Sequence, residues 1–373
     1  MSREPQAEAV IDLDTYRSNL EALRAAAPGA LQMPVVKADA YGHGLAPVAR
    51  AAREAGADWL GVATGAEALA LREAGDTGPV LCWLAAPGAD FTSLAEADVE
   101  VTASSAEQLA EILSGSTRRP KVQLKVDTGL LRNGAFGPQW DLLVEAAVQA
   151  QSAGRLEVTG VWSHFACADE PDHPANDEQE RVFTESVEQL EAAGIAPRLR
   201  HLANSAATLV RPSSHLDLVR VGIASYGISP DAGLQHGVAL QPVMTLRGRA
   251  VSVKRVPAGR GVSYGHTYVT DRETTLVDVP LGYAEGVLRT ASGRARVGVA
   301  GAQVPVAGRI CMDQLVADVG DLPVARGDVV TLFGPGDDGE PTAQDWAEAA
   351  GTIAYEVVTR LGGRIVRTYR GER

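Results

Sequence analysis

Short apolar runs of four to six residues recur along the first part of the chain. They fall at Leu31–Val36, Trp59–Ala63, Val80–Leu84, Val99–Thr102, Val122–Val126, Val158–Ser163, Leu199–Ala203 and Leu218–Gly222. Between them lie stretches with helical spacing, among them Leu45–Glu54, Ala66–Ala74, Ala106–Leu113, Trp140–Ala153 and Asn176–Ala193. Gly56, Gly75, Gly154 and Gly194 stand where helix-ending glycines belong. A shorter alternating strand, Val10–Leu13, precedes the series, and Asp14 is the expected N-cap of a helix running to about Ala27. Eight strand-like runs alternating with helices predict an α/β fold, a (β/α)8 TIM-type barrel, better than an open doubly wound sheet. No G-x-G-x-x-G follows the first run, which weakens a dinucleotide-binding reading.

After about Gly237 the pattern changes. Short alternating strands follow at Val243–Ser252, Thr274–Val279, Ala295–Val299, Gln303–Ala307, Gln314–Asp318 and Asp328–Phe333, with turns such as Pro257–Gly261 and Pro335–Gly339 between them. A last helix is expected near Ala343–Leu361 and a closing strand at Arg364–Arg370. The expected organisation is a barrel domain over residues 1–237 and a mostly β C-terminal domain over 238–373.

Composition removes several function classes. A formal charge of −13 argues against a nucleic-acid partner, because neutralising phosphates needs clustered Lys and Arg. No segment approaches the roughly eighteen uninterrupted apolar residues of a membrane span, and no signal-peptide core follows the polar start Met1–Glu8. No membrane partner and a cytoplasmic location are therefore expected. Cys82, Cys167 and Cys311 are widely separated and odd in number, and make neither a CxxC metal site nor a disulfide framework. His164, Cys167, Asp169 and His173 could suggest a metal, but the acidic, proline-bearing loop Glu170–Pro174 reads better as solvent-exposed, so no metal is expected. Trp59, Trp83, Trp140 and Trp346 read as packing residues.

The stretch Met33-Pro-Val-Val-Lys-Ala-Asp-Ala-Tyr-Gly-His-Gly44 carries the sharpest chemical signal. An apolar run ends in one lysine, and a buried ammonium is costly unless paired, neutralised or used covalently. Lys37 either snorkels to the strand rim or serves as a Schiff-base nucleophile. In a (β/α)8 barrel the working groups sit at the C-terminal ends of strands. Lys37, then Lys125, Asp127 and Arg132, then His164, Asn204, Ser205 and Arg220 all fall at such ends. Ser205 opens a helix, and the backbone around Gly222 and Ile223 could cradle an anion, with Tyr41 as a further donor. A lysine opposite a phosphate cradle suits pyridoxal phosphate; a phosphorylated-sugar enzyme would need the cradle as well.

Nine separated stretches resemble the alanine racemases, the barrel-type pyridoxal phosphate enzymes. They are Val-Val-Lys-Ala-Asp-Ala-Tyr-Gly-His-Gly, Lys-Val-Asp-Thr-Gly with Arg132, Ser-His-Phe-Ala, Ala-Asn-Ser-Ala, Arg-Val-Gly-Ile, Val-Ser-Tyr-Gly, Gly-Tyr-Ala, Arg-Ile-Cys-Met-Asp-Gln and Tyr-Glu-Val, spread between Asp12 and about Arg367. The resemblance implies a two-base isomerase interconverting L- and D-alanine, supplying D-alanine for bacterial peptidoglycan. Lys37 would hold pyridoxal 5'-phosphate as a Schiff base and act as one base; Tyr264 would be the base on the opposite face, from a partner subunit. Arg220 would face the pyridine nitrogen and, as a guanidinium, give it no proton. His164 would stack on the ring, and Tyr41, Asn204, Ser205, Gly222, Ile223 and Tyr355 would complete the cofactor site. Arg132 would orient the substrate carboxylate or the cofactor hydroxyl, with Tyr283 and Met312 lining the substrate entry and carboxylate site from the partner. Lys125 matches a lysine often carbamylated in the family, and Asp313 would orient this region. The implied assembly is a homodimer with shared active sites. Alternatives are a serine or broader-specificity racemase, a barrel-type amino-acid decarboxylase and a non-catalytic pyridoxal phosphate-binding protein. His43 receives no role beyond that of a loop residue. Glu285 stands where the family more usually has Asp.

Overall fold

The computed structural model describes residues 5–372; the first residues of the polar N-terminus lie outside them. The chain starts with strand β1 (Ala7–Asp12) and a helix, Leu13–Ala26. Asp12, not Asp14, caps this helix, its carboxylate accepting the Thr15 N–H at 2.9 Å. Asp14 lies in the first turn, where negative charge suits the helix N-terminus.

Eight strands follow where the apolar runs placed them: β2 (Leu31–Pro34), β3 (Leu60–Val62), β4 (Val80–Cys82), β5 (Glu100–Ala103), β6 (Lys121–Lys125), β7 (Glu157–Trp162), β8 (Leu199–His201) and β9 (Leu218–Val221). Strands β3 to β8 form one parallel sheet in sequential order, and β2 pairs in parallel with β9. Two seams close the ring. Val36 N–H donates to Gly61 O at 2.9 Å, joining β2 to β3. Asp217 N–H to Arg200 O (3.1 Å) and Arg220 N–H to Ala203 O (3.0 Å) join β9 to β8. Closure matters for function because it brings the ends of all eight strands to one rim.

The remaining strands are β10 (Met244–Arg249), β11 (Ser252–Val256), β12 (Gly261–Val262), β13 (Tyr268–Val269), β14 (Thr274–Val279), β15 (Arg296–Val299), β16 (Ala302–Pro305), β17 (Leu315–Gly320), β18 (Val329–Phe333) and β19 (Val366–Arg370). One sheet runs in the order β16-β15-β18-β10-β1-β19, so residues 7–12, grouped with the barrel in the sequence reading, sit inside the sheet of the later segment. Their alternating pattern could not reveal this, since a strand shows which face it buries but not its partner. The expected helix over Ala343–Leu361 is two, Ala343–Ala350 and Ala354–Thr359, parted at Gly351 with φ +73°. The first packs Trp346 onto the sheet, only 2% exposed, its indole N–H donating to Leu332 O at 2.5 Å. Burying such a ring contributes at most about 4–6 kcal/mol.

Candidate active site

The rim begins with a strained turn. After β2, Ala38, Asp39, Ala40 and Tyr41 all have φ of 53–54°, one turn of left-handed helix without a glycine. Each such residue costs roughly 1–2 kcal/mol, so its surroundings must over-determine the turn. Ala40 N–H donates to Val36 O (2.9 Å), Gly42 N–H to Ala38 O (3.0 Å) and Gly44 N–H to Asp39 O (2.9 Å). Arg367 on β19 donates to Gly42 O at 2.8 Å and pairs with Asp39 at 3.0 Å. His43, expected to be a loop residue, is fully buried and acts as an internal staple. Its Nδ1 lies 3.0 and 2.9 Å from the carbonyls of Ala40 and Tyr41, so Nδ1 carries the proton, and its ring packs on Tyr226 at 4.5 Å.

Lys37 starts this turn, its Nζ 5.9 Å from the ring centres of both Tyr41 and Trp83. Burial first, and then the Arg132 guanidinium, lower its pKa, with Glu67 opposing. Lys125 closes β6 and lies 4.4 Å over the Trp162 ring; burial, then Arg220 and Arg132, bring it down to about 8. Lys37, Lys125, Arg132 and Arg220 thus form a cationic cluster at the rim.

Arg220 is 4% exposed and has no carboxylate partner among the described residues. Nη2 donates to Ser163 O (2.7 Å) and Leu202 O (3.0 Å) and meets His164 Nδ1 at 3.2 Å; Nη1 meets His201 Nδ1 at 3.0 Å. Arginine only donates, so both histidines accept through Nδ1 and carry their proton on Nε2. The His201 Nε2–H then donates to Gln123 Oε1 (2.7 Å), and Gln123 Nε2 to Glu100 Oε2 (2.9 Å). Burial, and then the Arg220 charge, hold both histidines well below the usual range and neutral. Burial lowers Arg220 itself to about 9, which leaves it charged near neutrality. Its Nε–H and one Nη1–H have no partner among the described residues.

The ends of β8 and β9 also gather hydroxyls and backbone N–H groups. Asn204 spends its side chain capping the helix Ser205–Val210, accepting Ala207 N–H at 3.0 Å, and so positions Ser205. Ser205 Oγ accepts Gly222 N–H (2.8 Å) and Ala224 N–H (3.3 Å). A Cβ on Gly222 would sit 2.6 Å from the Tyr41 hydroxyl, so only glycine leaves this space open. Tyr355, on the helix Ala354–Thr359, stands 6.3 Å from Tyr41 ring to ring. The Tyr41 and Tyr355 hydroxyls and the Ile223 N–H have no hydrogen bond to any described residue.

The other expected residues belong to the later segment of the chain. Tyr264, Tyr283 and Met312 are 69%, 39% and 54% exposed. Backbone bonds gather them: Tyr283 N–H to Cys311 O (3.1 Å), Ala284 N–H to Met312 O (2.9 Å), and Ser263 Oγ to Arg309 O (2.6 Å). Arg364 bridges buried Glu285 and Asp313, and Glu285 also accepts Gly282 N–H at 3.0 Å, fixing the loop that carries Tyr283. No hydrogen bond, ion pair or ring contact joins these residues to Lys37 among the described residues. Trp83 lies at the site and not merely in the core. Trp162, His201 and Glu67 escaped the sequence reading; the Thr64-x-x-Glu67 capping signature was the one local cue. His173 accepts Ala175 N–H at 3.2 Å and serves a helix start.

A family model described as "Alanine racemase, N-terminal domain" matches residues 11–230, and one described as "Alanine racemase, C-terminal domain" matches 243–369. The alanine racemase of Salinispora tropica is 54% identical over 372 residues, covering 99% of each chain. That of Thermobifida fusca is 51% identical over 368 residues, covering 98% of each. The crystal structure of alanine racemase from D-cycloserine-producing Streptomyces lavendulae superposes with a TM-score of 0.97 at 51% identity, covering 100% of this chain and 99% of the other.

Proposed function

This chain belongs to the alanine racemase family, and we propose that it interconverts L- and D-alanine with pyridoxal 5'-phosphate bound at the barrel rim. What carries the reading is the pairing of a strand-end lysine of lowered pKa with a buried guanidinium that has only neutral acceptors and unspent N–H groups. The residues present fit the cofactor. Unspent hydroxyls of Tyr41 and Tyr355, the Ile223 N–H and the open space over Gly222 suit a phosphate. Ser205 would hold it with them, Asn204 keeping Ser205 in place. When bound, pyridoxal phosphate supplies an aldehyde for amines and a conjugated ring that eases loss of the α-proton.

Lys37 would hold the cofactor covalently and, once displaced by the substrate amine, take or return the α-proton on one face. Its lowered pKa raises the neutral fraction that a base needs. Arg220 cannot hand a proton to a ring nitrogen, which tempers electron withdrawal and disfavours side reactions such as transamination. Neutral His164, tied to Arg220, would pack on the ring. Arg132 would orient the substrate carboxylate, and a carbamate on Lys125 would turn a repelling cation beside it into an anion. Inversion needs a second base on the opposite face. Tyr264 is proposed for it, delivered with Tyr283 and Met312 by a second copy of the chain, because these exposed side chains gather through local backbone bonds and make no hydrogen bond, ion pair or ring contact with their own Lys37 among the described residues. The working unit is then a homodimer, located in the cytoplasm, making D-alanine for peptidoglycan.

A racemisation assay across Ala, Ser, Lys and Arg tests the substrate, and turnover confined to serine would sink the alanine reading. Lys37→Ala should abolish the yellow cofactor absorbance. Tyr264→Phe should keep that absorbance and lose turnover; full activity would remove the second base. Dilution that separates the dimer should stop turnover.

A further inference from the structure

We propose that Glu67 is a positioning residue for Lys37, a carboxylate bridge that aims the lysine through the backbone of the residue after it; this rests on the catalytic role given to Lys37 above. The helix Gly65–Glu73 opens with a capping box in which Thr64 Oγ1 accepts Glu67 N–H at 3.3 Å. In that motif the glutamate returns to the N-cap backbone and nothing more is required of it. Here the two carboxylate oxygens divide the work. Oε2 accepts Ala63 N–H (2.8 Å) and Thr64 N–H (3.0 Å), at the end of β3. Oε1 accepts Ala38 N–H at 2.7 Å, across to the end of β2.

Ala38 is the first residue of the left-handed turn, at φ 54° and ψ 51°. Its N–H belongs to the peptide that joins it to Lys37, so the bridge sets the plane from which the lysine stem departs. The later turn is held separately, by His43 from inside and Arg367 from β19. The anchor is on the backbone of Ala38, so it does not occupy the Lys37 Nζ. Glu67 also places negative charge near a lysine otherwise surrounded by Arg132, Lys125, neutral His164 and Tyr41.

A misaimed base slows the chemical step while leaving substrate contacts in place, so the effect falls on kcat and not on KM. Glu67→Gln keeps the size but offers one oxygen for two arms. Glu67→Asp keeps the charge and the cap but is one methylene too short to bridge. Both holoenzymes should retain cofactor and lose about tenfold in kcat, with KM within about twofold. In Glu67→Gln the pH midpoint of the cofactor–lysine absorbance should move down, and less so in Glu67→Asp. Thr64→Ala is the control: it breaks the other half of the capping box, so Tm should fall while kcat and the spectroscopic midpoint stay put. Amide exchange at Ala38, measured on the cofactor-free full chain, should quicken in both Glu67 variants and not in Thr64→Ala. If Glu67→Gln merely repeats Thr64→Ala, or if Ala38 exchange is unchanged in either Glu67 variant, the bridge has no positioning role. A wild type that neither binds pyridoxal phosphate nor racemises alanine overturns the functional reading instead, and the exchange result still decides the bridge.

Discussion

His43 offers a quantitative test because its burial has a pH signature. The imidazole is fully buried, and burial first, then the nearby Arg367 charge, push its pKa down from 6.5 to about 4 against the opposing carbonyl bonds. In the unfolded chain it titrates near about 6.5. The folded value is depressed, so below pH 6.5 the unfolded chain binds the extra proton and the fold loses stability. The loss begins near 6.5, grows as pH falls, and levels off below about 4. The gap of two to three pH units corresponds to about 3 kcal/mol, at up to about 1.4 kcal/mol per pH unit. His43→Asn keeps an N–H that can reach the same carbonyls but cannot titrate. Its stability at pH 8 should drop through lost packing on Tyr226. Between pH 6.5 and 4 its stability should fall less than that of the wild type, so the two curves converge. Urea unfolding across that range checks this, at fixed protein and cofactor concentration because bound partners add stability. His164 and His201 are also held neutral, but they contribute equally to both proteins and cancel in the difference. Parallel curves would refute the reasoning.

Gly222→Ala should cost at least about tenfold in cofactor affinity, because the added Cβ lies 2.6 Å from the Tyr41 hydroxyl. Tyr41→Phe on that background should be less than additive, since the nearest ring atom is then 3.3 Å away, and equilibrium dialysis of both variants decides it. Gln123→Leu strands the His201 Nε2–H in a fully buried site and should lower stability by about 1–3 kcal/mol; denaturant unfolding that shows under about 0.5 kcal/mol would remove the chain to Glu100. With its pKa near about 8, Lys125 presents enough neutral amine to add carbon dioxide, so protein equilibrated with labelled bicarbonate should show a carbamate carbon by NMR that Lys125→Arg lacks.

Period and punctuation along the chain carried the barrel. All eight apolar runs became its strands, and the helix at Leu45–Glu54 falls within the residues expected. Such features depend on neighbours a few residues apart. Where boundaries moved, a local competitor won: Asp12 reached Thr15 N–H and took the cap from Asp14, and Gly351 split the last helix. The chemical residue types at strand ends were legible for the same reason, since a polar residue closing an apolar strand is visible in one dimension.

What the sequence by itself determined is therefore the alternating architecture, the change of texture after Gly237, and which rim positions carry a lysine, an arginine, a histidine or a tyrosine. Tertiary structure decided how they act. Strand β1 joined β10 and β19, more than two hundred residues away, because a strand's pattern does not name its partner. Four non-glycine residues hold left-handed backbone where Arg367, His43 and Glu67 converge on them, a conformation that local preference opposes. The tautomers of His164 and His201 follow from a single arginine on β9 that can only donate. Lys37 is conspicuous in the sequence; the Arg132 that adds to burial in lowering its pKa and the Glu67 proposed to aim it come from a loop and a helix start distant from it in the chain.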